Sequence, residues 1–270
     1  MNNKVTILVN TSDGFEDCWN PFFKLLSKYW KNCNLPILIN TEFKTFEYQN
    51  LNITASEAHK GALDRRLTWS ECLINALHKI ESPLVIYMQE DYFIEQEINS
   101  ELIMEFVDLM IKDEEIKYIG LTDFGSKGPF GSYKDNRLVV VGNNRYRIST
   151  QAGIWRKETL LSYLRAEENG WMFEIFGTQR AKKRNELFLT ANRSLYSKSN
   201  HPIITYIHTG IIKGQWHEKI PSLFKKEGID SIDFSIRGLY KPKPFLIRKI
   251  ETASKLLKNP GRFITGMLGK

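Results

Sequence analysis

Apolar and polar positions along the first forty residues predict a strand, a helix and a second strand. Residues 4–9 are short, β-branched and apolar, which is typical of a buried strand, and residues 36–40 form a second such run. Between them, large apolar side chains recur at near-helical spacing: Trp19, Phe22, Phe23, Leu26 and Trp30. Strand, helix and strand in this order indicate a parallel sheet with a crossover helix.

The most apolar stretch, residues 83–88, predicts a buried strand that runs directly into residues 89–91, Gln-Glu-Asp. A helix over residues 68–80, with Thr68 as its N-cap, precedes it. Residues 136–156 predict later, partly antiparallel strands. The pattern also predicts helices over 97–111, 158–164 and 171–180, and strands over 118–121, 203–207 and 211–212.

Length and composition fit one large α/β domain followed by a short appendage. The chain has 270 residues, of which 42% are hydrophobic and 12% aromatic, which is ample for a folded core. Composition shifts near Arg237. We therefore expect one domain over residues 1–236 and a basic, amphipathic helical tail over residues 237–270.

Basic charge is concentrated in that tail. The whole chain carries a formal net charge of +7. Against the single acidic residue Glu251, the tail has nine basic residues: Arg237, Lys241, Lys243, Arg248, Lys249, Lys255, Lys258, Arg262 and Lys270. Apolar and basic residues alternate there, which favours an anionic membrane surface over nucleic acid as the partner. A helix that packs back on the domain is the alternative.

Cysteine usage and the N-terminal residues favour a cytoplasmic protein. Cys18, Cys33 and Cys72 are scattered, with no disulfide or metal-type spacing. The first residues lack the features of a secretory signal, and no run approaches the ~20 apolar residues that span a bilayer. We expect a cytoplasmic protein that is peripheral to the inner face of the plasma membrane.

Three predicted strand ends carry polar side chains, and in open α/β sheets ligands bind beyond the carboxyl ends of strands. Thr11 and Asp13 follow the first strand, and Asn40 ends the second. These side chains are suited to hydrogen bonds with a nucleotide base and ribose. Glu90 and Asp91 follow the most apolar strand, where a diphosphate would lie. Because a carboxylate repels phosphate, this placement predicts an intervening Mg²⁺ or Mn²⁺ ion.

The sequence here resembles GT-A glycosyltransferases. The stretch that carries the resemblance is residues 84–93, Leu-Val-Ile-Tyr-Met-Gln-Glu-Asp-Tyr-Phe, after the strand, helix and strand described above. In that family this strand ends in a DXD-type motif that binds the metal and the nucleotide diphosphate. Gln89 stands here in place of the first aspartate, so Asp91 is a better metal ligand candidate than Glu90. The resemblance implies a GT-A (Rossmann-like) mixed sheet flanked by helices.

The second half of the chain is similar to sugar transferases of bacterial capsule and lipopolysaccharide biosynthesis. The similar stretches are residues 149–156, 169–174 and 208–216. The resemblance implies that Glu174 is the catalytic base. It also implies that His208 and Lys213 face the diphosphate, and we count His208 as a third candidate metal ligand. The implied reaction is transfer from a nucleotide-sugar (a UDP-sugar above all) to a surface-polysaccharide or lipid-linked glycan. Because a carboxylate base suits direct displacement, our hypothesis is that the transfer inverts the configuration.

Ordinary structural roles remain open for the same residues. Asp91 also fits a strand-end turn, Glu174 a solvated helix position, and His208 a hydrogen-bonded structural histidine. Arg66, which precedes the helix capped by Thr68, is suited to clamp a phosphate. It is equally suited to the exposed start of that helix.

Two other functions remain as alternatives. A sugar nucleotidyltransferase shares the α/β sheet but opens with a Gly-rich, basic loop, whereas residues 11–14 contain one glycine and no cation. A non-catalytic, membrane-associated scaffold for polysaccharide assembly is the second alternative. Release of UDP from a sugar donor distinguishes a transferase from the scaffold.

Overall fold

A computed structural model describes residues 4–61 and 65–242 of the chain. The chain divides into two units, Met1–Thr209 and Gly210–Lys270. The first unit is built on a large mixed β-sheet, and the second on a two-stranded hairpin with short helices.

Among the described residues, the sheet of the first unit has nine strands. In chain order these are β1 (Val5–Asn10), β2 (Ile37–Asn40), β3 (Ile53–Ala55), β4 (Leu84–Gln89), β5 (Ile116–Gly120), β6 (Phe130–Ser132), β7 (Leu138–Val141), β8 (Gly153–Arg156) and β9 (Leu187–Ala191). Their order across the sheet is β3-β2-β1-β4-β8-β5-β9-β7-β6. Strands β1 to β4 are parallel, whereas β8 lies antiparallel between β4 and β5.

Helices pack against this sheet. The helices of the first unit are α1 (Glu16–Tyr29), α2 (Trp69–His78), α3 (Ser100–Lys112), α4 (Lys157–Tyr163) and α5 (Gly170–Lys182). Helices α2, α4 and α5 share a buried core with the strands, in which Leu73, Leu160 and Phe173 pack with Leu8 and Val85. The predicted α/β fold, a mixed sheet flanked by helices, is confirmed.

The central strands β1 and β4 are buried along nearly their whole length. Because both faces of the sheet are covered there, these strands are continuous apolar runs rather than alternating ones. Their register pairs Val5 with Leu84 and Asn10 with Gln89. The two strands therefore end at the same level, and the polar residues that follow them lie at one edge of the sheet.

Side-chain caps set the starts of several helices, α2 and α3 among them. Thr68 caps α2 as predicted: its hydroxyl accepts the N–H of Glu71 at 3.1 Å, and the Glu71 carboxylate accepts the N–H of Thr68 at 2.8 Å. Asn99 caps α3 through its side-chain oxygen. The helix predicted over residues 97–111 therefore begins three residues later than expected.

The prediction of a strand over residues 203–207 is wrong. The segment is buried, but it forms an isolated bridge between Tyr206 and Ile94 instead of a strand. Its carbonyl groups accept the N–H groups of Glu95 and Asn99 at 2.9 and 3.0 Å. These two donors are four residues apart, whereas their acceptors are two residues apart, so no regular ladder forms.

Conversely, the sequence pattern does not predict β3, β6 or β9.

The second unit contains the predicted strand over residues 211–212. Its elements are β10 (Ile211–Ile212), β11 (Gln215–Trp216), α6 (Ile220–Lys226) and α7 (Phe234–Arg237). Lys213 and Gly214 form the turn between the two strands with φ angles of 52° and 82°, as in a type I′ hairpin turn. Trp216 is buried and packs edge-on against Phe224 and Phe234.

The sequence predicts that the basic tail begins at Arg237, which is the last residue of α7. Residues 243–270 lie outside the described residues. The boundary after residue 236 and the helical character of the tail therefore stay predictions. Over the part of the chain that the structure describes, no helix combines the length and the apolar character needed to cross a membrane.

Gly153 in β8 is expected to tolerate no side chain. A Cβ atom there would lie 2.4 Å from the ring of Tyr118, which itself packs on Trp155 with ring centroids 4.5 Å apart. We expect Gly153→Ala to lower the free energy of unfolding by about 1–3 kcal/mol, measured by thermal or denaturant unfolding. Gly131→Ala is the matched control, because its nearest neighbour, Val140, would lie at 3.4 Å. Equal stability of the two variants would contradict this packing.

Candidate active site

Polar side chains from neighbouring strands meet at the carboxyl edge of the parallel half of the sheet. Asn40 donates to Oδ1 of Asn10 at 2.8 Å, and Asn10 donates to the hydroxyl of Tyr87 at 3.1 Å. Gln89 donates to the same hydroxyl at 3.0 Å, and Ser56 donates to Oδ1 of Asn40 at 2.9 Å. Buried amides require such partners. This network fixes the strand ends relative to one another and includes Asn40, one of the candidate nucleotide-binding residues.

Asp13 and Thr11, two further nucleotide candidates, fix the loops around this edge. The Asp13 carboxylate accepts three consecutive backbone N–H groups, those of residues 42–44, at 2.8, 3.0 and 3.3 Å. The Thr11 hydroxyl accepts the indole N–H of Trp19 at 2.9 Å. Asp13 therefore anchors the loop after β2 to the loop after β1.

Arg66 lies against the loop that Asp13 anchors. Its Nε donates to the Glu42 carboxylate at 2.9 Å, and the Arg66 side chain is 75% exposed whereas that of Glu42 is 11% exposed. Phe43 is also exposed and stacks on His59, with ring centroids 5.0 Å apart. Sequence patterns do not reveal the role of Glu42, because its partner Arg66 is 24 residues away in the chain. They do not reveal the stacking of Phe43 on His59 either, because these two residues come from separate segments.

Glu90 and Asp91 form the tip of a turn directly after β4, which we call the acidic turn. The N–H of Tyr92 donates to the carbonyl of Gln89 at 3.1 Å and closes the turn. Both acidic residues are buried. Thr209 donates to Oδ2 of Asp91 at 2.6 Å, which orients that carboxylate. A buried carboxylate is tolerated only with partners of this kind.

The acidic turn offers hard oxygen ligands. Within residues 4–61 and 65–242, no three His, Cys, Asp or Glu side chains come together as a ready-made metal site, so His208 does not complete such a set with Glu90 and Asp91. Mg²⁺ is usually bound by one or two carboxylates, several waters and the phosphates of a substrate, rather than by an all-protein cage. Two adjacent carboxylates at the end of a strand fit that kind of site.

Glu174 lies in the first half of α5, and its carboxylate is held by the segment before β8. Its Oε1 accepts the N–H and the hydroxyl of Thr150 at 2.8 and 3.0 Å, and the hydroxyl of Ser149 at 3.3 Å. Burial raises the pKa of the Glu174 carboxyl, while these three donors favour the charged form and limit the rise. An oriented carboxylate with a raised pKa is suited to accept a proton from a hydroxyl group.

The backbone of one residue, Thr150, connects the acidic turn to Glu174. The hydroxyl of Tyr92, the residue after Asp91, donates to the carbonyl oxygen of Thr150 at 2.8 Å. The N–H of Thr150 binds Glu174. The Tyr92 ring is buried and stacks on Tyr206 with ring centroids 4.3 Å apart, which fixes the hydroxyl. The sequence gives no signal for this link, because Tyr92 and Thr150 are 58 residues apart.

The two remaining candidates differ in their placement. His208 is exposed, meets the ring of Phe124 edge-on at 4.7 Å, and precedes Thr209, which binds Asp91. Its backbone therefore lies beside the acidic turn. Lys213 belongs to the second unit, where it forms the turn between β10 and β11. The hydrogen bonds of Thr150 to Tyr92 and Glu174 thus connect the acidic turn with Glu174. Lys213 belongs to the second unit.

The backbone is similar to several solved structures. TarS from S. aureus is 14% identical, with 87% of this chain and 41% of TarS covered and a TM-score of 0.49. Glucosyl-3-phosphoglycerate synthase from Mycobacterium tuberculosis, in complex with Mn²⁺ and UDP-glucose, is 10% identical, with 85% and 81% covered and a TM-score of 0.44. A TarS fragment in complex with UDP-GlcNAc is 12% identical, with 87% and 69% covered and a TM-score of 0.41.

These similarities concern backbone path alone. No protein-family model matches the chain, and no curated protein matches its sequence. The chain spans less than half the length of the full TarS structure. At identities of 10–14%, the ligands of the solved structures do not define the ligands of this chain.

Proposed function

We propose that the chain is a glycosyltransferase that moves a sugar from a nucleotide-diphosphate sugar, with a UDP-sugar favoured, to a hydroxyl group of a glycan acceptor. The observation that carries the proposal is the hydrogen-bonded link from the acidic turn through Tyr92 and Thr150 to Glu174. Sugar transfer needs charge neutralisation at the leaving diphosphate and a base at the acceptor hydroxyl. A turn suited to a metal ion and a carboxyl suited to a base supply these two functions.

At the donor end, Asp91 and Glu90 would hold the divalent ion, Mn²⁺ or Mg²⁺. When bound, such an ion neutralises charge on the diphosphate. We assign Thr11, Asp13, Asn40 and Arg66 to the nucleotide side, since the loops and strand ends they fix lie at the same carboxyl edge. His208 stays a diphosphate or metal candidate because it adjoins Thr209. Lys213 stays a prediction of the family resemblance.

At the acceptor end, Glu174 takes the proton of the attacking hydroxyl. The three hydrogen bonds from Ser149 and Thr150 aim one carboxylate oxygen and leave Oε2 as the atom for the proton. Direct displacement of the diphosphate by the acceptor oxygen inverts the configuration at the anomeric carbon. A metal-dependent, inverting transfer is therefore the mechanism that we favour.

We further propose that the acceptor is a surface-polysaccharide or lipid-linked glycan, of the kind made in capsule or lipopolysaccharide biosynthesis. The support is the cationic tail, which suits an anionic, cytoplasm-facing membrane rather than nucleic acid. Each cation near such a surface contributes about 1 kcal/mol.

In vesicle sedimentation, replacing Arg248 and Lys249 with glutamine is expected to weaken binding to anionic vesicles. Unchanged binding would remove the tail from the proposal.

Nucleotide release tests the function. Purified protein is incubated with Mn²⁺ or Mg²⁺ and a panel of nucleotide-sugars, with and without glycan acceptors, and UDP and pyrophosphate are both measured. We expect metal-dependent release of UDP from at least one UDP-sugar, and loss of that release in EDTA. Release of pyrophosphate from a nucleoside triphosphate and a sugar phosphate would indicate a nucleotidyltransferase. No nucleotide release from any donor would favour the non-catalytic scaffold.

A further inference from the structure

A cavity of about 350 Å³ opens beside Glu174. Its polar lining consists of Arg145, Tyr146, Glu174, Thr178, Gln179 and Lys182. The volume is within the range of small-molecule sites. The cavity therefore combines the proposed base with two cationic side chains.

One stripe of α5 forms a wall of this cavity. Glu174, Thr178 and Lys182 follow one another at four-residue intervals, so they lie on the same face of the helix. At 1.5 Å per residue, the proposed base and the Lys182 backbone are about 12 Å apart along the axis. This distance leaves room for a sugar ring between a hydroxyl group at Glu174 and a negative charge at Lys182.

Arg145 and Tyr146, which also line the cavity, belong to a loop that the next residue, Arg147, anchors. The buried Arg147 guanidinium donates to the carbonyl oxygens of Gly142 at 3.1 Å and Glu186 at 2.5 Å, and lies 4.6 Å from the ring centroid of Phe188. Tyr146, which directly precedes Arg147 in the chain, has a φ of +58°, a conformation that costs energy for a non-glycine residue and is common at functional sites. The anchor holds the preceding loop residues at the cavity.

Arg145 reaches the cavity from this loop. Its guanidinium carbon lies 5.0 Å from the ring centroid of Tyr146, so the aromatic ring supports the cation. Among the described residues, neither Arg145 nor Lys182 forms a salt bridge with a carboxylate. A lysine in the last turn of a helix also complements the helix dipole, but that role does not explain an arginine from a separate loop at the same cavity.

We propose that this cavity binds the acceptor, and that the acceptor carries a phosphate or carboxylate group held by Arg145 and Lys182. The proposal rests on the proposed function. In the transfer, the acceptor oxygen forms a bond to the anomeric carbon while the bond from that carbon to the diphosphate oxygen breaks. The hydroxyl proton passes to Glu174, and UDP leaves with the bonding electron pair. Because Glu174 repels anions, the charged group of the acceptor lies at the far end of the cavity.

Binding of simple probes tests the proposal without any donor. Glucose 6-phosphate, glucuronate and methyl glucoside are titrated into the full chain, with binding followed by calorimetry or NMR. We expect the two anionic sugars to bind more tightly than methyl glucoside. Arg145→Gln and Lys182→Gln should each weaken binding of the anions about ten-fold or more. Lys183→Gln, one residue further on and outside the cavity lining, is the matched control and should change nothing.

Each outcome either supports or overturns the assignment. Binding of glucose 6-phosphate alone, or of glucuronate alone, supports the assignment and identifies the anionic group of the acceptor. Equal binding of methyl glucoside, no binding of either anion, or an equal loss in Lys183→Gln overturns it. If the anions bind as expected while no nucleotide-sugar is turned over, the proposed function fails and the cavity stays an anionic-sugar site. If UDP is released but the anions do not bind, the function stands without this acceptor class.

Discussion

Asp91→Asn is expected to lower kcat for UDP release by about 10²–10³-fold, the usual cost of removing one group that stabilises transition-state charge. The asparagine keeps the size of the side chain and retains an oxygen that accepts the hydrogen bond from Thr209. It removes the negative charge that the divalent ion needs. The measurement is steady-state release of UDP at saturating donor, with Mn²⁺ titrated to detect a weaker metal requirement.

Asp108→Asn is the matched control for this variant. Asp108 lies on α3 and pairs with Lys4 at 2.7 Å on the exposed surface, where such pairs contribute about 0–1 kcal/mol. The control should turn over like the wild type, and both variants should unfold at similar temperatures. If Asp91→Asn retains turnover within a few-fold of the control, the acidic turn does not bind a catalytic metal ion.

Glu174→Gln is expected to lower kcat by about 10²–10⁴-fold, the usual contribution of a general base, while UDP binding is retained. The glutamine oxygen can still accept the hydrogen bonds from Thr150 and Ser149, so the local structure is preserved and the proton acceptor is lost. Glu101→Gln, on the exposed start of α3, is the control. Near-normal turnover of Glu174→Gln would remove this residue from the mechanism.

The pH dependence of the stability of Glu174→Gln gives a second, independent test of the raised pKa of Glu174. Burial raises the pKa of Glu174 above its ordinary value of 4.5. The folded state therefore prefers the neutral carboxyl, and this group's contribution to stability is lost as pH rises from 4.5 through the raised pKa. Because a general base must be ionised, the proposed role of Glu174 predicts that wild-type turnover rises over the same interval. Relative to the wild type, Glu174→Gln should become more stable as pH rises; a constant difference in Tm would contradict the raised pKa.

The apolar pattern predicts the central strands well because burial dominates there. Residues 83–88 are a short apolar run that leads directly into Gln-Glu-Asp, so the sequence pattern predicts strand β4 and places two acidic residues at its end. Thr68 illustrates a local signal of the same kind: its pairing with Glu71 needs only neighbours in sequence. The positions of Glu90, Asp91 and Asn40 at one edge then follow from the parallel order of the strands.

Contacts between distant segments could not be predicted in this way. Asp13 has the sequence of a surface turn, yet its carboxylate is bound by three backbone N–H groups about thirty residues away. Tyr92 looks like an ordinary core aromatic, and its role depends on the carbonyl of Thr150. The segment over 203–207 is as apolar as a strand, but its position beside the residues after β4 leaves it without a regular partner. In each case tertiary structure decides the outcome.

The central claim is that a divalent ion joins the acidic turn to the diphosphate of the donor, and an anomalous difference map of crystals grown with UDP and Mn²⁺ tests it most directly. We predict a manganese peak roughly 2 Å from a carboxylate oxygen of Asp91, a distance typical of small divalent ions, with diphosphate oxygens on its other side. Bound UDP with no manganese peak beside Asp91, or with the peak at another site, would contradict the claim.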